Sequence, residues 1–86
     1  MKTFKSPDDL RRYALALASF MMAQGYQEQA SILEARANLP CTTGWEWLGE
    51  LSEGINQIRR SGKFPEKIEE MIDYILKATK SEKPYG

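Results

Sequence analysis

The sequence predicts an all-α protein, a compact four-helix domain built as two helical hairpins. Three observations carry this. Apolar residues recur at helical spacing through almost the whole chain. No segment alternates polar and apolar residues over a strand's length, and β-branched residues are sparse. Gly and Pro fall between the periodic segments, dividing the chain into helices at about 7–24, 26–38, 44–60 and 65–80.

The first helix opens at Ser6-Pro7-Asp8-Asp9. Ser6 suits the N-cap, Pro7 the first helical position, and the aspartates the positive helix end. Gly25 is suited to end it. Leu10, Tyr13, Ala14, Leu17 and Met21 make one stripe, with Phe20 at its edge. Leu15, Ala18 and Met22 make a second stripe, displaced by roughly 100° or more. A helix apolar on most of its circumference is either the central helix of its domain or a subunit contact.

The second helix carries a narrow face of Tyr26, Ala30, Leu33 and Ala37, and Leu39-Pro40 stops it. Thr43 and Glu46 have the spacing of a capping box for the third helix. Its core stripe is Leu48, Leu51, Ile55 and Ile58, with Glu46, Glu50 and Glu53 opposite. Gly49 and Gly54 each cost about 1 kcal/mol in a helix interior against Ala, so they mark a kink or a close crossing. Ser61-Gly62 ends the third helix and Pro65 opens the fourth. There Ile68, Met71, Ile72, Ile75 and Leu76 face inward, while Glu66, Glu69, Glu70 and Asp73 face out. Residues 81–86 read as a frayed tail of this single 1–86 domain.

Gly25-Tyr26-Gln27-Glu28-Gln29-Ala30, followed by Ala37 and Pro40, resembles part of a tetratricopeptide unit. The likeness covers about 20 residues and lacks the Trp-x-x-Leu-Gly signature of that unit's first helix. It implies that the first two helices form an antiparallel hairpin, and nothing about peptide binding is carried across.

Composition narrows the chemistry. In 86 residues, 12 Lys and Arg balance 12 Asp and Glu, with no His and one Cys. Without His the chain lacks the commonest general base and metal ligand, and Cys/His zinc sites are excluded within one chain. No cofactor or metal is expected. A lone Cys closes no intramolecular disulfide, which fits a reducing, cytoplasmic compartment. A net charge of zero gives no general grip on phosphate backbones, so a nucleic-acid partner is not expected. No apolar run reaches the roughly 18–20 residues that span a bilayer, and no membrane partner is expected. Tyr13 to Ala23, behind Arg11-Arg12, has the length of a signal peptide's apolar core. Pro7, Asp8 and Asp9 stand where a positive leader is wanted, and favour an amphipathic helix instead.

The candidate sites follow. Trp45 and Trp47 stand about 160° apart on a helix, so one stripe does not bury both. Either both are core or one anchors a partner, and Trp45 is the stronger candidate. Leu15 and Met22 either touch neighbouring helices or form a dimer face. Arg59, Arg60, Lys63 and Lys67 cluster around the third turn, as an anion contact or as ordinary dipole matching at a helix end. That turn has the length of a DNA-reading helix-turn-helix, but the helix after it exposes four acids. Cys41 lacks the His that would activate it. The acidic faces of the last two helices read as solvated surface rather than as an inward-facing carboxylate site.

No catalytic residue is assigned. The leading expectation is a non-enzymatic protein-interaction or regulatory module using an apolar surface, with a protein partner or a second copy as a possible homodimer. Small bacterial regulators, inhibitors and immunity-type proteins are built on this scale. The alternatives are a small enzyme or enzyme subunit using Cys41 or surface carboxylates, and a weak nucleic-acid binder through the 59–67 basic cluster.

Overall fold

Four helices occupy the predicted places: α1 (Pro7–Ala23), α2 (Gln27–Ala37), α3 (Gly44–Arg60) and α4 (Glu66–Lys80). A computed structural model describes residues 4–39 and 44–80, and within α3 the side chains from Glu46 onward. Pro40, Cys41, Thr42 and Thr43, with the 81–86 tail, lie outside the described residues, as does the side chain of Trp45.

The expected ends shift by one residue at several termini, because the terminal residues are caps. Ser6 accepts the Asp9 amide on its hydroxyl at 3.2 Å, and Pro7 follows it at the start of α1. At the other end, Gly25 adopts φ +94°. The Tyr26 amide reaches back to the Met21 carbonyl at 2.9 Å, and the Gly25 amide to Met22 at 3.1 Å. This paired bonding is a Schellman turn, which needs a left-handed residue that glycine adopts without strain. Tyr26 and Asn38 cap α2 rather than belonging to it. The Pro65 carbonyl accepts the Glu69 amide at 3.0 Å, so Pro65 precedes the first turn of α4.

Long-range contacts establish an up-down-up-down ring. Arg11 of α1 meets the end of α2, and Gln29 at the start of α2 meets Ser61 at the end of α3. Arg59 of α3 meets Asp73 of α4, and Tyr13 of α1 meets Tyr74 of α4 with ring centroids 6.2 Å apart. Tyr26 and Phe64, from the first and third turns, pack edge to face at 5.0 Å. Successive helices thus run antiparallel, and the α1–α2 hairpin implied by the tetratricopeptide resemblance is present. The inward stripes meet as one core of leucine, isoleucine, alanine and Met21, closed by Phe4 and Trp47. The radius of gyration is 11.8 Å, against about 12 Å expected for a compact chain of this length.

The C-terminus of α2 is where three helices join. An α-helix ends with carbonyls that have no partner within the helix. Arg11 donates through Nε to the Ala37 carbonyl at 2.8 Å and through a terminal nitrogen to Leu39 at 3.0 Å. Trp47 of α3 donates its indole N–H to the same Ala37 carbonyl at 3.3 Å. The Arg11 guanidinium also lies over the Trp47 ring, 5.5 Å from its centroid, in cation–π range.

The two α3 glycines differ in surroundings. A Cβ on Gly54 would stand 2.5 Å from Cγ of Arg36, so this glycine admits α2 closely. A Cβ on Gly49 meets nothing within 4 Å. Replacing each by alanine should therefore give opposite signs in urea unfolding. Gly49→Ala is expected to stabilise by up to about 1 kcal/mol. Gly54→Ala is expected to destabilise by about 1–3 kcal/mol through overpacking. In the same assay Arg11→Lys, which keeps the charge and loses the planar fork, should cost about 1–3 kcal/mol. Equal stability of the Lys variant would show that charge alone secures α2.

Candidate functional site

The structure redistributes the residues that the sequence singled out. Trp47 is 1% exposed, so it is a core residue and not a partner contact. Its place at the edge of the α3 stripe turns the indole toward the end of α2, where its N–H finds a carbonyl. Trp45 has its backbone in the first turn of α3.

The basic cluster is divided. Arg59 lies between α3 and α4, 2.9 Å from Asp73 and 3.7 Å from Glu69, so it is committed to carboxylates and drops out of the anion group. Arg60, Lys63 and Lys67 are exposed and form no ion pair among the described residues. The acidic faces are partly neutralised in the same way. Arg36 of α2 pairs with Glu50 and lies 3.8 Å from Glu53 on α3. Glu70, Asp73, Tyr74 and Lys77 line a shallow depression on one face of α4, open to solvent. Cys41 lies outside the described residues.

Leu15 and Met22 part company. Leu15 is half-buried against the core, while Met22 is 41% exposed. Around Met22 lies a surface that sequence reasoning read only in part. Ala16, Ser19, Phe20 and Ala23 are exposed as well. From Tyr13 to Ala23 there is no charged residue. The outer faces of the other helices all carry charge: Glu28 and Glu34 on α2, Glu46 and Glu53 on α3, Glu70 and Lys77 on α4. Alanine and serine form its middle, and Phe20 and Met22, about 160° apart around the helix, stand at its two edges. Periodicity missed Ala16, Ser19 and Ala23, since small side chains do not register as apolar anchors. The usable signal was the eleven-residue absence of charge.

No family model matches this sequence, and comparisons with characterised proteins and with solved structures likewise find no match. Among the described residues no helix is long and apolar enough to cross a membrane.

One titratable group stands out beside this face. Tyr13, packed between Phe4 and Tyr74, is held above the ordinary tyrosine value. Burial is the main cause, with the Tyr74 phenol and the Glu70 carboxylate adding to it. A phenol that ionises more readily in the unfolded chain stabilises the fold below about pH 10, and that contribution is lost as pH rises through the raised folded value. Unfolding free energy measured from pH 9 to 11.5 should therefore fall less steeply in Tyr13→Phe than in the parent chain. Parallel curves would show that Tyr13 titrates as it does unfolded.

Proposed function

We propose that the protein is a non-enzymatic protein-interaction module, a small regulatory or assembly subunit of the cytoplasm. Its contact surface is the outer face of the C-terminal half of α1, beyond the exposed Asp8–Arg12 pair. The observation that supports this reading is the exposure of Phe20 (36%) and Met22 (41%) on a helix with no charge from residue 13 to 23. Exposed apolar surface gathered on one element marks interaction sites, whereas isolated apolar residues do not. The enzyme reading draws less support, since Glu50, Glu53, Glu69 and Asp73 are engaged by Arg36 and Arg59.

A photo-crosslinking amino acid placed at Ser19, in the cells that make the protein, tests the reading. Gln57, exposed on α3, serves as control. Position 19 is expected to yield at least tenfold more protein adduct than position 57. Equal yields would overturn the assignment of the contact face to α1.

A further inference from the structure

We infer that the bundle opens locally along the line between α1 and α4, and that Phe4 is the strap that holds this line shut. The moving part is the second half of α4, residues 74–80. This opening is a conformational device of the fold, separate from the contact face on α1.

Three observations carry it. The first is how the four lines between helices are made. Arg11, Arg36 and Arg59 secure α1–α2, α2–α3 and α3–α4 with directed polar bonds. Gly54 and the buried alanines of α2 let that helix lie close to its neighbours. Between α1 and α4 stand two tyrosines instead, and these helices are the most widely spaced of the four neighbouring pairs. Tyr13 and Tyr74 are each half-buried, so water already reaches this line.

The second observation is the position of Phe4. It is 4% exposed, yet it lies ahead of α1 and belongs to no helix. Its ring packs edge to face on Tyr13, with centroids 5.3 Å apart. A buried side chain within a helix leaves the core only if backbone bonds of that helix break. Phe4 leaves by rotation of the backbone before Ser6, and the Ser6 cap of α1 stays intact. Its departure uncovers Tyr13 and breaks no bond of α1.

The third is the uneven anchoring of α4. Its first half is tied to α3, because Arg59 lies 3.7 Å from Glu69 and 2.9 Å from Asp73. Phe64, just ahead of it, packs on Tyr26 at 5.0 Å. Beyond Asp73, the described ties to other helices are the Tyr74 ring and the burial of Ile75, Leu76 and Ala78. Local opening lies below global unfolding in free energy where few directed bonds must break. Here it uncovers Tyr13, Ile75 and Leu76 while α2, α3 and the first half of α4 stay folded.

Native-state hydrogen exchange reads this opening amide by amide. Residues 74–78 are expected to exchange through an opening about tenfold more populated than the one that exposes Leu33 and Ile55. Phe4→Ala should raise exchange at 74–78 by about tenfold or more. Phe4→Leu, which keeps an apolar side chain, should raise it by a smaller factor and serves if the alanine variant does not fold. Ile55→Val weakens α3 equally in the closed and the locally opened chain. It should therefore raise exchange at Leu33 and leave residues 74–78 unchanged. One opening population shared by all four helices would overturn the inference. So would exchange at 74–78 that follows Ile55→Val. Simple fraying of the helix end would appear as rapid exchange there that substitution of Phe4 does not change, and that result would overturn it too.

Discussion

The carbonyl of Ala37 is the point on which the other elements depend. It accepts from Arg11 of α1 and from Trp47 of α3, and so joins three helices at the end of the one between them. The helix that ends there is the weakest of the four on its own. It has eleven residues, no side-chain N-cap bond and a narrow apolar face of Ala30, Leu33 and Ala37. An isolated helix of that length is marginal in water even with a favourable sequence. Its stability is supplied from outside, by packing and by donors that complete its last carbonyls. Losing both donors would leave the Ala37 carbonyl unsatisfied, at a cost of about 1–3 kcal/mol.

The same device recurs around the ring. Arginines join three of the four lines where helices meet: Arg11 from α1 to α2, Arg36 from α2 to α3, and Arg59 from α3 to α4. The fourth, between α4 and α1, is aromatic, made by Tyr74 and Tyr13 with Phe4 behind them. Each arginine combines an aliphatic stem with a planar charged head. At the α2–α3 crossing the stem of Arg36 packs over Gly54, and its head turns out to Glu50 and Glu53. Partly exposed pairs of this kind contribute little free energy each. Their effect is to fix which helix faces which, since four apolar stripes alone leave rotation and register loosely set.

Much of this was legible in the chain. Ser6-Pro7 and Gly25 act through neighbours within a few residues, so local chemistry located the ends of α1. The stripes of α3 and α4 repeat at helical spacing and lie in the core as read. What escaped was set by distant partners. Arg11 reads as a surface cation because its partners lie 26 and 28 residues away. Phe4 precedes any helix and belongs to no stripe, yet it is 4% exposed. Trp47 lay at a stripe's edge, where exposure depends on a neighbouring helix end. The choice between kink and crossing at Gly54 depended on Arg36, a residue of another helix.

The ring also accounts for the bare face of α1. A helix in a four-membered ring has two neighbours, so about a third of its circumference has no partner inside the chain. On α2, α3 and α4 that third is charged, and solvation meets the need. On α1 the core stripe is buried, the row containing Arg11 and Ala18 turns toward α2, and Tyr13 turns toward α4. What remains outward is the Asp8–Arg12 pair on the first half and, beyond it, alanine and serine with Phe20 and Met22 at the edges. Small side chains keep the exposed apolar area modest. They also leave the backbone approachable, and that is the condition for a second helix to lie against this one. An uncharged helix surface with small residues along its middle meets both demands at once. A row of leucines would meet only the second, and a row of lysines only the first.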